Sequence, residues 1–133
     1  MKTLINIKIS AALIALLALG SCDKDSGTFS DNESSAITKI EGPTTSKAGE
    51  ELLVKVTLQG NNGCAISGEL KEIANGNLRT VAGKVNYKGE VCTQALVYLV
   101  VNYSFKTSTP GTYELKFLKA DKTYLNHTIK VDW

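Results

Sequence analysis

The feature that most constrains the fold is an alternation of apolar and less apolar residues in the part of the chain after residue 50. Leu52, Val54, Val56 and Leu58 are spaced two apart, and the same period recurs over residues 97–105 and 113–117. A period of two places successive side chains on opposite faces of a β-strand. These stretches are therefore predicted to be strands with one buried face and one solvent-facing face.

The full pattern predicts an all-β domain of seven short strands. Turn residues separate the strands, including an Asn75-Gly76 pair typical of a two-residue hairpin. After residue 36 no stretch has helical spacing, so we predict an antiparallel β-sandwich. The predicted strands are 36–41, 52–58, 65–74, 78–87, 95–106, 112–118 and a last strand that ends in Ile129, Val131 and Trp133.

The segment Pro110-Gly111-Thr112-Tyr113-Glu114-Leu115 resembles the tyrosine corner of immunoglobulin-like domains. Leu115 stands where those domains usually place the second cysteine of an inter-sheet disulfide, and the predicted third strand has no tryptophan. Residues 36–133 are similar to the single-domain immunoglobulin-like lipoproteins of Bacteroidota. The resemblance implies a seven-stranded immunoglobulin-like sandwich and a place in the cell envelope, and it implies no activity.

The first 21 residues read as a leader. Lys2 and Lys8 precede an apolar run, residues 9–19, that is interrupted only by Ser10 and is too short to span a bilayer. The run closes in Leu19-Gly20-Ser21-Cys22, which resembles the end of bacterial lipoprotein leaders. That resemblance implies cleavage after Ser21 and attachment of a diacylglycerol thioether and an N-terminal acyl chain, such as palmitate, to Cys22. The alternative is an ordinary cleaved signal peptide followed by an incidental cysteine.

Residues 22–35 are predicted to be a flexible acidic tether. Phe29 is their only aromatic residue, so the segment buries too little apolar surface to fold, and it would span roughly 45 Å when extended. Acidic residues after Cys22 resemble surface-export signals of Bacteroidota lipoproteins, although Asp23 directly after the cysteine favours inner-membrane retention in enterobacteria. We expect a lipid-anchored envelope protein, most simply at the outer membrane, and the leaflet stays open.

Charge argues against a nucleic-acid partner. The leader holds two of the fifteen Lys and Arg residues and none of the thirteen Asp and Glu residues, so the rest of the chain carries thirteen of each sign. Proteins that bind nucleic acids need clustered basic residues. No sequence motif indicates a cofactor.

Cys64 and Cys92 are predicted to form a disulfide. They fall in or beside loops that lie at the same end of a seven-strand sandwich, and a bridge there would contribute about 3.5 kcal/mol by constraining the unfolded chain. The two alternatives are a zinc site and a reactive thiol. A zinc site needs four ligands at close spacing, and a reactive thiol needs a neighbouring base or a Cys-x-x-Cys motif.

Nothing in the sequence predicts an enzyme. His127 is the only histidine, and its position on the last strand favours a hydrogen-bonded edge residue over a general base. Glu50 and Glu51 are adjacent, so on a strand their side chains point to opposite faces. Two classes of function remain: a binding or adhesion module for an unknown protein, peptide or glycan, and a structural accessory that docks on a larger envelope complex.

The candidate contact surface lies on the longest predicted strand. Leu96, Tyr98 and Val100 occupy the face opposite its core residues, and Leu53 lies on the outer face of the second strand. An immunoglobulin-like order would add Leu78 and Ala82, making an apolar patch of the kind that marks contacts. Three alternatives would remove the patch: the tether covers it through Phe29, the first strand covers it, or a register shift of one residue exchanges the two faces.

Overall fold

The protein is an all-β domain, as predicted. The computed structural model describes Phe29 and residues 34–133, and this part of the chain contains no helix. Its eight strands are β1 Ile37–Glu41, β2 Thr45–Lys47, β3 Glu51–Gly60, β4 Ala65–Asn75, β5 Leu78–Tyr87, β6 Val97–Lys106, β7 Gly111–Leu118 and β8 Tyr124–Asp132.

The strands form two sheets that face each other, which confirms the predicted β-sandwich. One sheet has three strands in the order β1-β3-β6, and the other has five in the order β2-β8-β7-β5-β4. The strand count is eight, one more than predicted, because β2 was missed. β2 has only three residues, Thr45, Ser46 and Lys47, and a segment that short and polar cannot show an alternating pattern.

Two strand pairings are parallel, so the prediction of a wholly antiparallel sandwich was wrong in this detail. β2 runs parallel to β8, and β5 runs parallel to β7 from the pair Leu78–Glu114 to the pair Val81–Phe117. The second pairing arises because β4 takes the outer edge and β5 lies beside β7. After β5 the chain crosses to the other sheet as β6 and returns as β7 in the direction of β5. Immunoglobulin-like domains are built from antiparallel sheets, so this order departs from the expected arrangement.

The β4–β5 hairpin lies where the sequence placed it, with its turn one residue further on. Asn75 pairs with Leu78, so the two loop residues are Gly76 and Asn77 rather than Asn75 and Gly76. Gly76 has φ +60°. A glycine at the first of two loop residues is typical of a type II′ turn, which matches the twist of the flanking strands.

The core lies between the sheets and follows the predicted alternation. Val54, Val56 and Leu58 of β3 are fully buried, and so are Leu115 and Phe117 of β7. Burying a side chain of this kind contributes roughly 1.5–3 kcal/mol. The ring of Tyr103 on β6 meets that of Phe117 edge-to-face, with centroids 5.7 Å apart, so aromatic packing also joins the two sheets.

Leu58 marks a close approach between the sheets. A Cβ atom placed on Gly68 of β4 or on Gly83 of β5 would lie 2.3 Å from a methyl carbon of Leu58. Only glycine leaves room for the Leu58 side chain at these two points. The β4–β5 hairpin therefore rests directly against the middle of the other sheet.

Ser35 secures the point where the chain enters the domain. Its buried hydroxyl donates a hydrogen bond to the Leu118 carbonyl and accepts one from the Gly83 N–H at 3.1 Å. The neighbouring Ala36 N–H donates to the Gly83 carbonyl at 2.8 Å. Ser35 thus fills the gap that opens between β5 and β7 beyond the pair Val81–Phe117.

Tyr113 forms the tyrosine corner that the sequence predicted. Its hydroxyl donates to the Thr109 carbonyl at 2.8 Å and lies 2.9 Å from the Thr107 hydroxyl. The Tyr113 ring packs edge-to-face on Phe105, with centroids 5.2 Å apart, and Leu115 two residues later is fully buried. The corner ties the β6–β7 connection to the start of β7.

We predict that Tyr113→Phe lowers the free energy of unfolding by about 1–2 kcal/mol, because the Thr109 carbonyl loses its buried donor. Urea denaturation of the purified protein measures the change. Tyr124→Phe is the matched control, since the Tyr124 ring lies 5.8 Å from the Lys116 ammonium and Phe keeps that contact. Equal stabilities for the Tyr113→Phe and Tyr124→Phe variants would contradict the proposed role of the corner.

Candidate functional site

A disulfide closes one end of the sandwich, as predicted. Cys64 and Cys92 are bonded, with their Cα atoms 5.2 Å apart. Cys64 follows β3 and Cys92 lies in the segment between β5 and β6, so the bridge links the β3–β4 and β5–β6 connections. We refer to this end, with these two connections and the β7–β8 turn, as the disulfide pole.

Backbone hydrogen bonds hold the connections around the disulfide. The Gly63 N–H donates to the Thr93 carbonyl at 2.9 Å, and the Lys88 N–H donates to the Cys64 carbonyl at 2.9 Å. The β5–β6 connection also contains Val91, which is 96% exposed. Val91 was not predicted, because an isolated apolar residue in a polar loop gives no periodic signal.

A cleft of about 400 Å³ opens at the disulfide pole. Thr38, Gln59, Lys84 and Tyr87 contribute to its walls, and the Tyr87 hydroxyl accepts a hydrogen bond from the Asn61 N–H at 3.0 Å. Ala36, Val85 and Ala120 also line the cleft, and none of its lining residues carries a carboxylate. Across residues 34–133, no three His, Cys, Asp or Glu residues come together in a way that could hold a metal ion.

The predicted contact residues lie on the outer face of the three-stranded sheet. Leu96, Tyr98 and Val100 are exposed by 53%, 60% and 63%. Tyr98 and Val100 face outward on successive rows, opposite Gln59 and Thr57 of β3, and Leu96 directly precedes β6. We call these three residues the β6 patch.

Leu53 is exposed as well, at 48%, but it does not join the β6 patch. It pairs with Ser104, and the polar pair Lys55–Asn102 separates it from the row of Val100. A separation of two rows corresponds to about 13 Å along the strand. The structure therefore gathers three of the four predicted residues.

The predicted neighbours of the patch, Leu78 and Ala82, lie elsewhere. They belong to β5 in the five-stranded sheet, and Ala82 is buried. The expectation was wrong because, among the described residues, β6 is an edge strand paired with β3 alone, whereas an immunoglobulin-like order would have placed it between two strands.

Neither Phe29 nor β1 lies over the β6 patch in the described part of the chain. The ring of Phe29 lies 5.6 Å from the Lys71 ammonium on β4, in the five-stranded sheet. β1 pairs with the edge of β3 away from β6. The exposed fractions of Tyr98 and Val100 also exclude a register shift that would exchange the faces.

A polar side-chain cluster links the two sheets where β6 faces β4. The Tyr103 hydroxyl donates to a Glu72 carboxylate oxygen at 2.7 Å, and Arg79 Nε lies 3.6 Å from the other oxygen. Burial, and then the hydrogen bond to Glu72, raise the pKa of Tyr103 well above its ordinary value of 10.0. No local pattern predicted this cluster, since its members lie on three different strands.

His127 is a hydrogen-bonded edge residue. Its Nε2 atom lies 2.8 Å from the Pro43 carbonyl oxygen, and its side chain shares a face of β8 with the buried Ile129 and Val131. Glu50 lies just before β3 and Glu51 begins it; Glu51 accepts a hydrogen bond from the Ser104 hydroxyl at 2.6 Å. In the described residues, neither carboxylate forms a hydrogen bond with His127.

Cys22, the predicted lipid-bearing residue, lies outside the described residues, as do the leader and most of the tether. Within the part that is described, no helix is long and apolar enough to cross a membrane.

Comparison with profiles of protein families matches residues 54–131 to the ORF11 beta-sandwich domain. The matched segment begins inside β3 and ends inside β8, so it contains strands of both sheets and the disulfide but not β1 or β2. No curated protein and no solved structure gives a significant match to the chain.

The Tyr103 cluster generates a prediction about alkaline pH. Because the pKa of Tyr103 is raised in the folded state, the folded protein keeps this proton when the unfolded chain releases it. Stability is therefore fully present below pH 10 and falls above it, by at most about 1.4 kcal/mol for each pH unit. Tyr103→Phe should be less stable at pH 8 and lose this part of the alkaline decline.

Urea denaturation at pH 8, 10 and 11 measures both effects. Tyr98→Phe is the control, because the exposed Tyr98 should leave the decline unchanged. If Tyr103→Phe follows the parent protein at every pH, the cluster has no role in stability.

Proposed function

The chain belongs to the ORF11 beta-sandwich domain family, and from that premise we propose that it is a lipid-anchored, non-enzymatic binding module of a bacterial cell envelope. The observation that carries the proposal is the exposed β6 patch on a disulfide-closed sandwich. The partner is an envelope or extracellular protein, peptide or glycan. The anchor is a lipid on Cys22, and the membrane is the outer membrane.

Support for the anchor comes from the sequence of the leader and from the point where the chain enters the domain. Residues 19–22 read Leu-Gly-Ser-Cys after a short apolar run. The chain then enters the domain at Ser35, which is buried and hydrogen-bonded between β5 and β7. A disulfide between Cys64 and Cys92 also fits export, because disulfides persist in oxidising compartments.

Support for binding comes from the composition of the β6 patch. Three large apolar side chains exposed by more than half form a cluster that water solvates poorly. Aromatic residues are the usual anchors of protein interfaces, so Tyr98 is the proposed centre of the contact. The cleft at the disulfide pole, lined by both polar and apolar residues, is a second candidate contact surface.

Catalysis is not proposed, because the polar side chains of the described surface are not arranged for it. The lone histidine is engaged with the Pro43 carbonyl, and the Glu72 carboxylate is taken up by Tyr103 and Arg79. A general acid or base needs to reach a substrate proton within hydrogen-bond distance. Among the described carboxylates, Glu41 and Asp121 form exposed ion pairs with Lys39 and Lys119.

We predict that Cys22→Ser abolishes lipid attachment and leaves the precursor uncleaved, because serine cannot form the thioether. Metabolic labelling with an alkyne-bearing fatty acid, together with the gel mobility of the chain, measures both results. Ser26→Ala, in the same tether, is the control and should be labelled and processed normally. Normal processing and membrane retention of Cys22→Ser would rule out the lipid anchor.

We predict that Tyr98→Lys combined with Val100→Thr removes the partner that cross-links to the parent protein in intact cells. Both side chains are solvent-facing, so the double variant should fold. The matched control is Asn102→Thr combined with Ser104→Lys, on the same face of the same strand but outside the β6 patch.

The outcome separates the two candidate roles. A soluble or surface-displayed partner that is lost only with the patch variant supports a binding module, and a multisubunit membrane complex supports the structural accessory. Retention of every partner by a folded patch variant would eliminate the β6 patch as the docking site.

A further inference from the structure

The edge strands on the two sides of the sandwich differ in length. On one side the edges are β1 and β2, with five and three residues. On the other side they are β4 and β6, with eleven and ten residues. A long edge strand presents unpaired N–H and C=O groups to any passing strand, and most proteins shorten or charge their edges to prevent this.

β4 carries the usual protection and β6 does not. Glu69, Lys71 and Glu72 place three charges along β4, and its pairing with β5 contains a bulge near Ala65. Residues 96–105, which are Leu96 and all of β6 except Lys106, include no charged residue, no proline and no glycine. Segments with this composition pair readily with other strands.

One edge of β6 is open in the described part of the protein. β6 pairs with β3 along its whole length, from Val97–Gly60 to Lys106–Glu51. Among residues 34–133, no strand pairs with its other edge. In an antiparallel ladder alternate residues direct their N–H and C=O groups to opposite sides, so about half of the residues of β6 offer both groups to a further strand.

We infer that β6 pairs with β6 of a second copy of this chain, antiparallel, to join two three-stranded sheets into one of six strands. The proposed pairing sets Leu99 opposite Leu99 and Tyr98 opposite Val100 on each side of a two-fold axis. The inference goes beyond the proposed function and depends neither on Cys22 nor on the partner of the β6 patch.

The sequence of β6 suits pairing with itself. An aromatic residue opposite a β-branched residue is a favourable cross-strand pair, and the two-fold axis makes the Tyr98–Val100 pair twice. Lys106 is the only charged residue of β6. In the proposed register the two Lys106 residues are fourteen positions apart, about 46 Å, so no like charges oppose one another.

Pairing would also enlarge the β6 patch. Tyr98 and Val100 of the two copies would lie side by side on the outer face of the six-stranded sheet, in one continuous apolar surface. The interface is isologous and closes at two copies, because each copy uses its free β6 edge and the dimer has no unpaired β6 edge left. This closure distinguishes the proposal from open-ended aggregation through an edge strand.

The test uses single cysteines in the full-length protein. In the proposed register residue 100 lies next to residue 98 of the other copy, about 7–8 Å diagonally from its own counterpart. Residue 104 lies ten positions from its counterpart, about 33 Å away. Val100→Cys should therefore be joined to itself by a short thiol–thiol cross-linker, and Ser104→Cys, on the same face of the same strand, should not.

We expect about tenfold more cross-linked homodimer from Val100→Cys than from Ser104→Cys, because only the first pair lies within reach. Cys64 and Cys92 are bonded to each other and do not react, and Cys22→Ser in both variants removes the third cysteine of the chain. Sedimentation of the unmodified protein should give twice the mass of one chain. A monomeric mass at all concentrations, equal cross-linking of both variants, or cross-linking of Val100→Cys only to a different protein would overturn the proposal.

Discussion

The packing of Leu58 against the backbones of Gly68 and Gly83 sets the geometry of the whole domain. A side chain at either glycine would collide with Leu58, so these contacts hold the β4–β5 hairpin against the centre of the three-stranded sheet. With the hairpin in that position, β5 lies beside β7 and β4 is left at the edge. The parallel β5–β7 pair, the Tyr103–Glu72 hydrogen bond and the gap that Ser35 fills all follow from this placement.

Much of the fold could be predicted from the sequence, because strands with one buried face leave a local signal. Alternation located seven of the eight strands, and the residues before Tyr113 indicated the tyrosine corner. The order of the strands gave no such signal. A β4–β5 hairpin reads the same in sequence whether β4 or β5 lies beside β7, since the choice depends on contacts with distant strands such as that of Gly83 with Leu58. β2 was missed because three polar residues have no period.

The candidate site could also be predicted in part, because the face on which a strand residue lies follows from local alternation. The exposed positions of Leu96, Tyr98 and Val100 follow from the parity of one strand, and the Cys64–Cys92 bridge follows from two connections at one end of a sandwich. The neighbours of the patch depend on the order of strands within a sheet, so Leu78 and Ala82 were placed wrongly. The Tyr103–Glu72 contact joins the edges of different sheets and has no counterpart in local sequence.

The entry of the chain at Ser35 determines how the domain would respond to mechanical load. Ser35 is bonded to Leu118 and Gly83 in the five-stranded sheet, but the chain then continues as β1, which pairs with β3 and through it with β6. A pull between an N-terminal anchor and a partner on Tyr98 would meet the Ser35 bonds first and then pass across the β1–β3–β6 ladders. The five-stranded sheet would lie beside this path, so the Ser35 hydrogen bonds would break before the two sheets separate.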